Sequence, residues 1–210
     1  MEKEKVKRII HLSDLHIGYP GLLDRFQHIS NMILELKNPS RDYVIVITGD
    51  LVDNDDDSNY EGACYYIQYL RDNGFTVLVA PGNHDYAKLF FHWKRNVKKF
   101  KKTYFGSTDV IYPKLDIVDY GKGKDDEGYD KKIAFMGLDS MAEELHVYDS
   151  LWANGELGDK QLERLERMLN KKAVEECKYK VIYLHHHPFD PLYNLHKLIE
   201  PSSFLLKFSS

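Results

Sequence analysis

Tyr43-Val44-Ile45-Val46-Ile47-Thr48-Gly49-Asp50 is a run of mostly β-branched residues that ends in a glycine and a carboxylate. Its apolar residues do not alternate with polar ones, as expected of a strand covered on both faces inside a largely parallel sheet. Glycine at its end lets the backbone turn sharply and leaves the Asp50 carboxylate facing the rim of the sheet. The same arrangement recurs three times. Ile9 to Leu12 precedes Asp14-Leu15-His16, Phe75 to Ala80 precedes Gly82-Asn83-His84-Asp85, and Val181 to Leu184 precedes His185-His186-His187-Pro188. Four neighbouring, mainly parallel strands are expected, each delivering polar groups beyond its carboxyl end, where open α/β sheets bind ligands.

Between these runs the periodicity changes from strand to helix. Leu22, Phe26, Ile29, Ile33 and Leu36 line one helical face, which Asn38-Pro39 should end. Tyr60, Cys64, Ile67 and Leu70 form a second stripe closed by Asn73-Gly74, and a third helix is expected from Asp159 as N-cap, burying Leu162, Leu165 and Leu169. Strand, helix, strand, helix, strand is the opening of a doubly wound α/β sheet. From Tyr86 to Lys132 the rhythm breaks. A basic helix and a hairpin, Leu115 to Tyr120 with Lys132 to Leu138, are expected there, joined by a mobile loop from Gly121 to Gly128. Residues 86–132 are read as an insertion in a single domain spanning 1–210.

With 43% apolar and 30% charged residues, the 210-residue chain has the composition of a soluble globular protein. Its apolar runs are too short to cross a bilayer, and its charged beginning is no export signal, so a cytoplasmic protein without a membrane partner is expected. Cys64 and Cys177 are too far apart for a thiolate metal motif and are read as reduced bystanders. A net charge of -4 gives no overall attraction to nucleic acid, which is therefore not the favoured partner.

Taken singly, the polar blocks have plain explanations: a solvated loop for Asp14 and His16, a strand-ending turn for Gly49-Asp50, a self-bonded turn for Asn83 and Asp85, an exposed cluster for the three histidines. Together they are carboxylate, imidazole and amide ligands suited to borderline or hard divalent cations. Delivered by four strands to one rim, they read as a two-metal phosphoesterase centre.

In this order the blocks resemble the D-x-H, G-D, G-N-H-[DE] and H-x-P blocks of the calcineurin-like metallophosphoesterase family, from about Lys7 to Pro188. The resemblance implies a layered αββα sandwich of two mixed β-sheets flanked by helices. It also implies two divalent metal ions (manganese, iron, zinc or similar) and hydrolysis of a phosphoester substrate, a small molecule or nucleotide. By similarity Asp14 and His16 bind one metal, Asp50 bridges both, and Asn83 binds the second. The family's ligand histidine stands two residues before proline, which selects His186, with His185 as the fallback. His84 would face the leaving group and Asp85 would orient its ring. Two dications about 3.5 Å apart repel by on the order of 20 kcal/mol at an effective dielectric near 20, so bridging anions, Asp50 and a hydroxide, are required.

The chain departs from the family in one block. No Gly-His-x-His follows Pro188, where the family takes one further ligand for each metal, so a C-terminally truncated domain with impaired activity is expected. The alternative is a non-catalytic relative that binds metal or a phosphorylated partner. The opening His11-Leu12-Ser13-Asp14-Leu15-His16-Ile17-Gly18 is similar to the branch acting on cyclic nucleotides and small phosphodiesters. Asp53, Asp55 and Asp57 imitate a calcium loop but lack its glycine and closing glutamate, and are read as a solvated acidic loop near the rim. Lys94, Arg95, Lys98, Lys99, Lys101 and Lys102 are read as the wet face of an amphipathic helix, with steering of a phosphate-rich substrate as the other reading.

Overall fold

The computed structural model describes residues 7–86, 93–141, 155 and 157–187. In chain order the first half is β1 (Arg8–Leu12), α1 (Leu22–Leu34), β2 (Tyr43–Thr48), α2 (Asp57–Asp72) and β3 (Thr76–Ala80), followed by a single turn α3 (Asn83–Tyr86) and the basic helix α4 (Trp93–Phe105). The second half is β4 (Lys114–Lys124), β5 (Asp130–Gly137), α5 (Asp159–Leu169), the short α6 (Lys172–Glu175) and β6 (Cys177–Tyr183).

Strands β1, β2 and β3 pair side by side in that order, all parallel. Right-handed crossovers that keep stepping in one direction put both connecting helices on one face of a sheet. That face holds Ile45, Ile47, Val77 and Val79, packed with Phe26 and Ile33 of α1, Ile67 and Leu70 of α2, and Phe100 of α4. Side chains alternate along a strand, so Val44, Val46, Leu78 and Ala80 point the other way. They meet Ile133 and Phe135 of β5 and Tyr183 of β6, a second sheet lying against the first. The outer face of that second sheet, with Ala134 and Met136, is covered by Leu165 and Met168 of α5 and Val174 of α6. Four layers result, helix, sheet, sheet, helix. A second sheet, rather than helices, therefore covers the inner face of the wound opening.

Several expected boundaries shift. The run Val181 to Leu184 does form a strand, but β6 pairs parallel to β5 in the second sheet and does not join β1–β3. Continuous burial reports two covered faces and not which sheet covers them. The second sheet is mixed, since β4 and β5 are antiparallel. Its hairpin strands reach further than the apolar pattern, and the Asp125 carboxylate accepts from the Glu127 and Tyr129 amides, tightening the turn. Helix α1 stops at Leu34, before Asn38-Pro39, and α5 is capped by Gly158 in place of Asp159. On α5 the buried positions are Gln161, Leu165 and Met168. His92, His146, His196 and everything from Pro188 on lie outside the described residues. No described helix is long and apolar enough to cross a membrane.

Candidate metal centre

The carboxyl ends of β1, β2, β3 and β6 converge where the two sheets meet. After β1 the chain stays tied to the segment leaving β2: the amides of Asp14, His16 and Ile17 donate to the carbonyls of Gly49, Asp50 and Leu51 at 3.2, 2.9 and 2.8 Å. This ladder lays Asp14 and His16 beside Asp50. Asp14, His16 and Asp50 also have left-handed backbone, with φ of 56°, 43° and 51°, and no other non-glycine described residue does. Such conformations cost on the order of 1–3 kcal/mol each and gather at functional sites, where the surrounding structure enforces them.

Two glycines let the loops cross. A Cβ on Gly49, whose φ is 80°, would stand 2.6 Å from the Gly82 amide nitrogen and 2.8 Å from His185 Cγ. A Cβ on Gly82 would stand 2.5 Å from the Asp50 amide nitrogen and closer still to its carboxylate. Only hydrogen fits at either position.

Around this crossing, Asp50 Oδ2 stands 3.6 Å from His16 Nε2 on one side and 3.6 Å from His185 Nε2 on the other. His16 Nε2 is 3.9 Å from Asp14 Oδ1, and His185 Nε2 is 3.2 Å from Asn83 Oδ1. The donor atoms form two groups, Asp14 with Asp50 and His185, and His16 with Asp50 and His84, each within 4.8 Å. Asp50 belongs to both.

This donor set fits divalent cations. Ligand atoms about 2.1 Å from one ion stand about 3.0 Å apart at right angles and about 4.2 Å apart when opposite, a range that holds the separations just given. His185 adds a chemical reason. Its Nδ1 lies 2.8 Å from the Thr48 carbonyl, an acceptor only, so the neutral ring carries its proton there. The Nε2 lone pair then faces two oxygens, an arrangement that a positive centre between them relieves. His16 Nδ1, buried without a hydrogen bond among the described residues, likewise sits in an anionic setting 3.8 Å from Asp53 Oδ1.

Asp14, His16, Asp50 and Asn83 lie together, and of the two candidate histidines before Pro188 it is His185 that joins them. His186 turns away, its Nδ1 2.8 Å from Ser140 Oγ and its ring against Gly155. Both histidines lie in the bend that follows β6, and their different hydrogen-bond partners, the Thr48 carbonyl for His185 and Ser140 Oγ for His186, turn the two rings to different sides. His187 is exposed.

Asp85 does not hold the His84 ring. It is fully buried, and its carboxylate accepts from the amides of Gly82 (2.9 Å), Leu51 (2.9 Å) and Val52 (3.2 Å), pinning the turn after β3 to the loop after β2. Burial pushes its carboxyl up to about 8, opposed by these three donors and reinforced by the nearby Asp50 carboxylate. Tyr60 adds a hydroxyl bond to the Asp85 carbonyl.

The partner of His84 is Asp53. His84 Nδ1 lies 2.9 Å from the Asp53 carbonyl and 3.4 Å from its carboxylate, and the His84 amide donates to Asp50 Oδ1 at 2.9 Å. The sequence reads Asp53 as part of a solvated loop, but its side chain is only 14% exposed. Its position three residues after Asp50, in the same turn, is the signal that could have found it.

Residues 7–206 match the sequence profile of the calcineurin-like phosphoesterases. The chain belongs to that family. It is therefore, in general terms, a metal-dependent phosphoester hydrolase. No curated protein sequence matches it. Among solved structures, a purple acid phosphatase from yellow lupin (Lupinus luteus) seeds is similar with a TM-score of 0.50 and 16% identity, over 96% of this chain and 34% of the phosphatase. The phosphopantetheinyl hydrolase of Mycobacterium tuberculosis is similar with a TM-score of 0.46 and 14% identity, over 90% of this chain and 73% of the hydrolase. At 16% identity the likeness to the lupin enzyme speaks for the fold alone, and the chain spans about a third of that enzyme.

Proposed function

We propose that this phosphoesterase hydrolyses its substrate at a dinuclear centre held by Asp14, His16, Asp50, Asn83 and His185, with Asp50 common to both ions and His84 as the proton donor. The observation that best supports this is the Asp50 carboxylate, 3.6 Å from an imidazole nitrogen on each side and shared by both donor groups. Two divalent cations, when bound, supply the charge that draws in phosphoryl oxygens and lower the pKa of water from about 15.7 to about 7.

The chain's own groups do the rest. Water that has lost a proton to solvent forms a new bond to phosphorus opposite the leaving oxygen, whose bond to phosphorus breaks. His84 donates a proton to that oxygen from Nε2, while Nδ1 stays bonded to the Asp53 carbonyl, which fixes the ring's orientation. Asn83 contributes an amide oxygen without adding negative charge, preserving the site's attraction for a phosphate oxyanion. Buried Asp85 and Tyr60 hold the turn that carries both residues.

His84 could instead be read as a metal ligand, since a donor atom of its ring lies within 4.8 Å of those of His16 and Asp50. Phosphate release from glycerol 3-phosphate, whose alkoxide leaving oxygen needs a proton, by protein reconstituted with Mn²⁺ separates the two. His84→Ala should lower kcat about 100-fold or more, the usual worth of a general acid, with bound Mn²⁺ per chain unchanged. An undiminished kcat, or a fall in bound Mn²⁺, would overturn the assigned role.

A further inference from the structure

Arg95, Lys98, Lys99 and Lys102 recur along α4 at spacings of three, one and three, which places them on one face of the helix. Opposite them runs the loop Asp55-Asp56-Asp57, and together with Thr108 the two segments flank an open groove of about 580 Å³. That volume falls among those of small-molecule sites, about 300–1,000 Å³, and the groove is broad and open to solvent, as suits a strongly hydrated phosphate group.

The acidic wall neutralises only part of the basic one. Lys99 Nζ bonds the Asp57 carboxylate at 2.6 Å and the Asp55 carbonyl at 2.5 Å, and Arg95 lies 3.3 Å from Asp55. Lys98 and Lys102 are exposed and have no ion pair among the described residues. Four cations thus face three carboxylates, with the uncompensated pair one helical turn apart and about 5–6 Å between their Cβ atoms.

The groove is also joined to the centre. Asp53, whose carbonyl holds His84, is two residues from Asp55, at most about 7 Å along the chain. Asn96, fully buried on α4, donates to the Tyr86 carbonyl at 3.3 Å and to Asp55 Oδ2 at 3.4 Å, fixing the helix to both the catalytic turn and the acidic loop.

We infer that this groove binds a second phosphoryl group of the substrate, so that the centre acts on oligophosphorylated small molecules in preference to simple monoesters. This rests on the hydrolytic reading above, but its binding half can be measured without turnover. Calorimetric titration of the full chain with sodium tripolyphosphate in EDTA should show binding. Lys98→Glu/Lys102→Glu should weaken it about tenfold or more, since both lost contacts are charge-assisted, while Lys160→Glu/Lys172→Glu, at exposed lysines outside the groove, should not. With Mn²⁺ present, kcat/KM for phosphate release from ATP should exceed that for p-nitrophenyl phosphate, and the groove variant should bring the two together. No binding by the wild type, equal weakening by both variants, or equal kcat/KM for the two substrates in the wild type would overturn the inference. Absent hydrolysis with groove-dependent binding intact would instead count against the hydrolytic reading.

Discussion

His185 and His186 are neighbours of identical chemistry in different surroundings. The first is anchored through Nδ1 to the Thr48 carbonyl with Nε2 toward Asp50 and Asn83, the second through Nδ1 to Ser140. His185→Ala should weaken Mn²⁺ affinity by at least about 100-fold, because losing even an outer partner of a ligand costs about 10–100-fold. His186→Ala should leave the affinity near that of the wild type. Equilibrium dialysis against Mn²⁺ measures both. Sequence carried the residue types here but not the choice between these two histidines. The two stand in the bend beyond β6, where no regular period assigns side chains to a face, and only the tertiary partners, the Thr48 carbonyl and Ser140 Oγ, decide which ring faces the rim. Asp53 was hidden for a related reason. An acidic loop is ordinarily solvated, and nothing local revealed that its first carboxylate folds under two imidazoles at 3.8 and 3.4 Å.

At the level of elements, the centre depends on two loops crossing without side chains between them. Gly82→Ala should overpack this crossing, with a loss of stability on the order of 1–3 kcal/mol in urea unfolding and a loss of Mn²⁺ binding as Asp50 is displaced. Unchanged stability and unchanged binding would show that the crossing is looser than it stands here. Both glycines were visible in the sequence as turn residues, but the close approach that requires them joins segments about thirty residues apart. Strands β1 to β3 were legible because each is a continuous apolar run bounded by turn signals. The membership of β6 was not, because burial on both faces is common to both sheets. The N-terminal boundary of α5 was misplaced because Gly158 caps a helix through its conformational freedom, with no side-chain hydrogen bond to mark the position.

Across the whole molecule, Asp139 ties the two halves together. It is buried beyond the end of β5, accepts the Tyr86 hydroxyl at 2.8 Å and the Met141 amide at 3.0 Å, and its backbone exchanges two hydrogen bonds with the Gln161 side chain on α5. Burial pushes its carboxyl from 3.8 up to about 6. The folded state thus holds this proton to higher pH than the unfolded chain does. Its contribution to stability is complete below 3.8 and is lost as pH rises through about 6. The loss is on the order of 3 kcal/mol at most, and Asp139→Asn should remove this part of the pH dependence. Urea midpoints of the two proteins between pH 4 and 7 check it, and parallel curves would contradict it. The order of the polar blocks along the chain was enough to suggest the layered sandwich, whereas a buried carboxylate linking its halves leaves no periodic trace. In the proposed function, groups from four strand ends hold a pair of cations around Asp50. Anomalous diffraction from crystals grown with Mn²⁺ tests it most directly. Two peaks about 3.5 Å apart on either side of the Asp50 carboxylate, with His16 near one and His185 near the other, are predicted. Mn²⁺ bound elsewhere, or no peak beside Asp50, would contradict it.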